Sequence, residues 1–272
     1  MIRNLQKYAR AFATKSHPTT LMAVIGNDPQ VPELIKKYKL DTYMTPVFFE
    51  NEAEMMKPGN YDSALIVNSN PKQMEQFLNV QKNIKWIHST MAGVDWILSE
   101  KLKTSDINLT NAKGAFSYSL AEYVLFGVLY FSKLTPYFNE KRAKHEWAPV
   151  EVKYASEAKV GIIGYGNIGY ATAKLLKRSV NPIVYGCCRK ISELSEKQQA
   201  KCDLLVESED YETILRASDY VVGILPKTQE TNNYFDMKKF QMMKKSAVFI
   251  NIGRGVTMIE VSALLNWGRK IL

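Results

Sequence analysis

The eleven residues from Lys159 to Gly169 constrain this chain more than any others. A β-branched run, Lys159-Val160-Gly161-Ile162-Ile163, passes directly into Gly164-Tyr165-Gly166-Asn167-Ile168-Gly169. Tyr170 to Lys177 then has the composition of a helix. A GxGxxG spacing is weak evidence alone and much stronger between a strand and a helix, where it reads as a dinucleotide cradle. The three glycines play distinct physical roles. Gly164 permits the tight turn, Gly166 lets a pyrophosphate approach the backbone, and Gly169 lets helix and strand pack closely. The phosphates then meet the helix start at Asn167 and Ile168, where unpaired N–H groups and the macrodipole favour anions.

The next strand, Pro182 to Tyr185, should end near the adenosine ribose. An NAD site usually places a carboxylate about 20 residues after the glycines, for the ribose 2′-hydroxyl. Here Cys187 stands eighteen residues beyond Gly169, followed by Cys188, Arg189 and Lys190, and the next carboxylate is Glu193. A small neutral residue followed by two cations suits a 2′-phosphate. The expected cofactor is therefore NADP(H), with NAD(H) as the alternative.

The rest of the chain alternates strands and helices. Thr20 to Ile25, Val47 to Phe49, Ser63 to Val67 and Ile84 to His88 read as strands, with helices over Val31 to Tyr38 and from Pro71. Leu120 to Leu134 reads as a long apolar helix, and Tyr137 to Ala155 as a charged, aromatic linker. Five strands are expected after it: Val160–Ile163, Ile183–Tyr185, Leu204–Val206, Tyr220–Ile224 and Val248–Ile250. This alternation predicts an α/β protein of two Rossmann-like or flavodoxin-like domains with mainly parallel sheets. The expected division is 18–115 for a substrate-binding domain and 116–272 for a dinucleotide-binding domain.

Charge bears on the class of partner. The chain carries 36 basic and 27 acidic residues, a net charge of +9. Arg3, Lys7, Arg10 and Lys15 precede the first acid, Asp28, and the other lysines alternate with acids. No basic face with groove-reading or stacking elements emerges, so nucleic acid is not an expected partner. Residues 1–17 are acid-free, basic and amphipathic, the composition of a mitochondrial transit peptide, with cleavage expected after Phe12. The expected location is the mitochondrial matrix, with the cytoplasm as the alternative. No run of about 18 apolar residues predicts a membrane span. Cys187, Cys188 and Cys202 lack metal-ligand spacing and predict reduced thiols and no metal site.

Four blocks in order resemble the D-isomer-specific 2-hydroxyacid dehydrogenases, nearest to the glyoxylate/hydroxypyruvate reductase type. They are Ser89-Thr90-Met91-Ala92-Gly93-Val94-Asp95, Leu120-Ala121-Glu122-Tyr123-Val124-Leu125, the glycine fingerprint, and a last block in two parts. That last block joins Ala217-Ser218-Asp219-Tyr220-Val221-Val222 with Leu225-Pro226-Lys227-Thr228-Gln229-Glu230-Thr231 to Met243-Lys244-Lys245 through Asn251-Ile252-Gly253-Arg254-Gly255. The resemblance implies hydride transfer between nicotinamide and a small 2-oxo or D-2-hydroxy acid, with glyoxylate or hydroxypyruvate as expected substrates. It implies Arg254 as the catalytic arginine, and Met91, Ala92, Gly93 and Val94 as the loop that holds the substrate carboxylate. Leu225, Pro226, Thr231, Ile252 and Gly253 join Arg189 and Lys190 as expected cofactor-binding residues. The apolar helix from Leu120 implies a homodimer.

The family supplies a proton from a histidine tuned by a glutamate, both after the arginine. This sequence ends at Leu272, eighteen residues past Arg254, and neither motif is present. The dinucleotide domain is expected to lack its last elements, leaving Ala247 to Asn251 as an exposed edge strand. A catalytically silent nucleotide-binding paralogue is the alternative function. Of the three histidines, His88 is expected to be packed, and His17 and His145 lie in the leader and the linker.

Overall fold

The computed structural model describes residues 21–26, 28–259 and 270–271. The expected leader, 1–17, falls outside them. The chain divides into two compact units, Met1–Phe116 and Ser117–Leu272.

In the first unit five parallel strands form one sheet: β1 (Leu21–Ile25), β2 (Thr45–Phe48), β3 (Ser63–Ile66), β4 (Trp86–Ser89) and β5 (Asn108–Asn111), in the order β2-β1-β3-β4-β5. This is the flavodoxin-like order. Its helices are α1 (Val31–Lys37), α2 (Glu52–Met55), α3 (Pro71–Val80) and α4 (Glu100–Lys103). Because side chains alternate along a strand, β1 sends Met22 and Val24 to pack with Val31 and Ile35 of α1. It sends Ala23 and Ile25 to the other face, to Met74, Phe77 and Leu78 of α3. Both faces of the sheet are thus covered, which explains why β1 and β3 read as short apolar runs.

In the second unit six parallel strands form a second sheet: β6 (Lys159–Ile163), β7 (Ile183–Cys188), β8 (Leu204–Glu207), β9 (Tyr220–Gly223), β10 (Val248–Asn251) and β11 (Lys270–Ile271). Their order is β11-β10-β9-β6-β7-β8. Counted within the unit this is 6-5-4-1-2-3, the doubly wound order whose switch point lies between β6 and β9. Helices α5 (Ser117–Ser132), α6 (Thr135–Ala143) and α7 (Asn167–Ser179) are followed by α8 (Glu196–Gln199), α9 (Tyr211–Ala217) and α10 (Met237–Met242). Val124 and Val128 of α5 join Ala173 and Leu176 of α7 over one face of the sheet. Ile214 and Leu215 of α9 join Phe235, Phe240 and Phe249 over the other.

Three expectations need correction. The segment Tyr137–Ala155 is not all linker, since its first part is α6. That helix buries no side chain. It is held by a Glu140–Lys144 ion pair at helical spacing (2.6 Å) and by proline in its first turn, features that stabilise a solvated helix without an apolar stripe. Second, β5 was not expected. Asn108-Leu109-Thr110-Asn111 is polar, and its pairing with β4 makes it a strand. Third, β10 is not a bare edge: β11 pairs in parallel with Val248 and Phe249.

Candidate functional site

At the end of β6 the chain turns sharply. Gly164 has φ +100°, a conformation that L side chains rarely adopt. A Cβ there would also stand 2.4 Å from the Ile224 carbonyl oxygen. The N–H groups of Gly164 and Tyr165 both donate to the Cys187 carbonyl, at 3.0 and 2.8 Å. This ties the turn to the end of β7. Tyr165 is buried beneath it, and its hydroxyl donates to the Gln198 carbonyl. Gly166 then precedes α7, with no atom within 4 Å of where a Cβ would be. No side chain caps this helix, so its first-turn N–H groups are left without a capping partner. Gly169 packs inward, its absent Cβ 3.1 Å from the Gly164 carbonyl and 3.3 Å from Ile162.

Three loops meet at this carboxyl edge. The Leu225 side chain lies 3.3 Å from the Gly164 Cβ position. A Cβ on Gly253 would stand 2.7 Å from the Leu225 carbonyl. Gly164, Leu225 and Gly253 are thereby brought together across the switch point, where open α/β sheets bind ligands, and Pro226 and Ile252 adjoin them in the chain. The 226–231 loop is closed on itself. The Thr231 hydroxyl donates to the Pro226 carbonyl (2.5 Å) and accepts from the Thr228 N–H (2.9 Å). That hydroxyl is engaged in shaping the loop.

Arg254 follows β10 and is exposed. Its backbone carbonyl accepts from Thr257 Oγ1 (2.7 Å), the Thr257 N–H (3.0 Å) and Asn251 Nδ2 (3.3 Å). Asn251 Oδ1 in turn accepts from the Gly253 N–H (3.0 Å). Thr257 is fully buried, and the 256–259 strip is bonded to Asn233 and Phe235. The arginine thus projects from a braced turn. Sequence reasoning missed Asn251 and Thr257 as its supports. The spacing of Asn251 was visible, but its two-sided bonding was not.

Arg189 and Lys190 follow β7 and are exposed. The carboxylate in register with Cys188 is Glu207 on β8, a neighbour that linear spacing could not reveal. Its Oε1 accepts from the Ile191 N–H at 2.8 Å. Burial pushes the Cys187 thiol up to about 12 and the Cys202 thiol up to about 11. Both are protonated at neutral pH, and neither is a nucleophile or metal ligand in that form. Among the described residues no cluster of three metal-ligating side chains occurs.

In the first unit the Met91–Val94 loop leaves β4. All four of its carbonyls are used. Met91 accepts from the Ala112 N–H, Ala92 from Asn111 Nδ2 (2.6 Å), Gly93 from Trp96 Nε1 (2.7 Å) and Val94 from the Ile97 N–H. No described residue accepts from the N–H groups of Ala92, Gly93 or Val94. Carbonyls engaged and amides open is the polarity that an anion requires.

His88 lies at the end of β4. It is 1% exposed, with Nδ1 2.8 Å from Thr110 Oγ1. Burial lowers its pKa to about 4. The unfolded chain therefore takes up this proton first. Stability from the site is full above pH 6.5 and falls by about 3 kcal/mol as the pH drops to 4. Urea denaturation across that range measures it, and His88→Gln should flatten this part of the profile. His145 closes α6 with φ +56°.

A family model described as D-isomer specific 2-hydroxyacid dehydrogenase, NAD binding domain, matches residues 125–267, more than half of the chain. The chain belongs to that family. It is 30% identical over 208 residues to glyoxylate/hydroxypyruvate reductase B of Enterobacter sp. (strain 638), covering 73% of this chain and 61% of that protein. It is 29% identical over 170 residues to a probable 2-ketogluconate reductase of Dictyostelium discoideum, covering 60% and 49%. The aligned part of the chain thus spans about half to three-fifths of these relatives. An NADPH-dependent glyoxylate/hydroxypyruvate reductase of Sinorhizobium meliloti, solved with NADP and sulfate, has a TM-score of 0.74 at 23% identity, covering 92% of this chain and 78% of that one. That likeness is one of fold, and it places the doubly wound sheet within the family's architecture.

Proposed function

We propose that the protein is an NAD(P)-dependent oxidoreductase acting on a small 2-oxo or D-2-hydroxy acid, with glyoxylate or hydroxypyruvate as substrate. The observation that carries this reading is the meeting of the Gly164 turn, Leu225 and the Gly253-Arg254 turn at one switch point. The residues there fit a dinucleotide: an open space at Gly166, an uncapped thirteen-residue helix and a close-packed Gly169. When bound, the nicotinamide supplies or accepts the hydride. Gly164, Gly166, Asn167, Ile168 and Gly169 hold the phosphates, and Leu225, Pro226, Thr231, Ile252 and Gly253 form the wall beside them. Arg254 orients the substrate, its planar fork matching a carboxylate beside a carbonyl. The open N–H groups of Ala92, Gly93 and Val94 in the Met91–Val94 loop suit a carboxylate. His88, unprotonated at neutral pH, does not donate the proton to the carbonyl oxygen.

In this reading 18–115 is the substrate domain and 116–272 the nucleotide domain. Arg189 and Lys190 favour NADP(H), since the carboxylate of Glu207 is already engaged. The test is NADPH oxidation by the full chain on adding glyoxylate or hydroxypyruvate. The joint variant Arg189→Ser/Lys190→Ser should raise KM for NADPH about 10-fold and leave that for NADH nearly unchanged. Equal effects on both would remove these cations from the 2′-phosphate site. Tight NADPH binding with no turnover on any 2-oxo acid would support the silent nucleotide-binding reading.

A homodimer through α5 belongs to the same proposal, supported by the exposed Tyr118, Tyr123 and Phe126 on an otherwise apolar helix. So does a mitochondrial address read from residues 1–17. No helix among the described residues is long and apolar enough to cross a membrane.

A further inference from the structure

The first unit carries a cavity of about 490 Å³ at the end of its sheet away from the Met91–Val94 loop. It opens where β4 and β5 begin, so the four residues of β4 separate it from that loop by roughly 13 Å. Leu78, Ile84 and Ile107 give it an apolar lining, the first two buried. Lys82, Lys85 and Lys101 stand around it, with Asp106 as the one carboxylate in its wall.

The lysines are poorly neutralised. None of the three forms an ion pair within 4 Å among the described residues. Lys101 Nζ donates to Asn79 Oδ1 at 2.6 Å, a neutral partner. Desolvation and the Lys82 ammonium beside it lower the Lys101 pKa, against a weaker opposing effect of Glu75. Nor are the lysines absorbed by helix-end carbonyls. At the end of α3 the Phe77 carbonyl accepts from the Gln81 N–H (2.8 Å). At the end of α4 the Leu102 carbonyl accepts from Ser105 Oγ (2.8 Å) and the Glu100 carbonyl from the Thr104 N–H (3.1 Å). Like charges held side by side over an apolar surface are relieved by an anion that also carries apolar area.

We propose that this cavity binds a small organic anion, a phosphate or carboxylate on an apolar body, with its charge against Lys82, Lys85 and Lys101 and its body against Leu78, Ile84 and Ile107. The volume lies within the range of small-molecule sites. The site is separate from the dinucleotide cradle, and its occupancy does not depend on the proposed reaction.

The test uses phenyl phosphate as the probe, titrated calorimetrically into the full chain with and without saturating NADPH. Inorganic phosphate and benzyl alcohol serve as half-probes. Hydrogen exchange locates the contact. Phenyl phosphate should bind with a submillimolar Kd and protect 78–85 and 101–108. Each half-probe should bind at least about 10-fold more weakly, as should phenyl phosphate to the exposed pair variant Lys82→Ser/Lys85→Ser. NADPH affinity of that variant should be unchanged. The proposal is overturned by no heat and no protection up to about 10 mM probe. It is overturned equally by protection confined to other segments or by unchanged binding to the variant. Because the probe is read with and without NADPH, failure here is distinguishable from failure of the dinucleotide reading.

Discussion

Gly166→Val removes NADPH binding and leaves the fold standing, whereas Gly164→Val strongly destabilises the second unit. The two glycines are two residues apart, yet their surroundings are opposite. At Gly166 no atom lies within 4 Å of the Cβ position, and φ is −104°. A side chain there meets no protein atom and would project into the space proposed for the pyrophosphate. Affinity for NADPH should fall at least about 100-fold, because a close backbone approach has no substitute in this cradle. The melting temperature without nucleotide should change little. At Gly164 φ is +100° and a Cβ would meet the Ile224 carbonyl at 2.4 Å. Conformational strain and overpacking together cost about 4 kcal/mol, a large share of the stability of an ordinary domain. Calorimetric melting with parallel NADPH titration separates the two outcomes. Equal NADPH affinity of Gly166→Val and the parent would place the nucleotide elsewhere.

Arg254→Ala lowers kcat/KM for a 2-oxo acid by about 100- to 1,000-fold, with KM raised and kcat lowered. The arginine matters through its guanidinium. Its backbone is already held by Asn251 and Thr257, so removing the side chain leaves the turn in place. NADPH affinity should therefore stay within about twofold of the parent. Arg254→Lys keeps the charge and loses the fork, so it should recover only a small part of the rate. Steady-state kinetics with hydroxypyruvate, beside NADPH titration, measure both. Unchanged kinetics in Arg254→Ala would take this residue out of the site.

The elements legible in the sequence are those whose signal is local. Strand, glycine turn and helix follow one another within Lys159–Ser179, so these three elements could be placed residue by residue. Its surroundings could not. The approach of Gly253 to Leu225 joins segments far apart in the chain, and only the sheet order brings them together. Glu207 reaches the end of β7 because β8 pairs beside it, so counting along the chain from Gly169 passes it over. β5 is invisible because Asn108-Leu109-Thr110-Asn111 owes its extended form to β4 rather than to its own residues. Helix α6 is masked because its support is ionic, with no apolar stripe to read. His88 was legible as a packed residue, but its neutrality follows from burial beside Thr110.

The most direct measurement is the configuration of the product formed from hydroxypyruvate and NADPH by the full 272-residue chain. Consumption of one NADPH for each D-glycerate, with no L-glycerate, is the predicted result. L-glycerate, or no glycerate from a chain that binds NADPH, would contradict the proposed reaction.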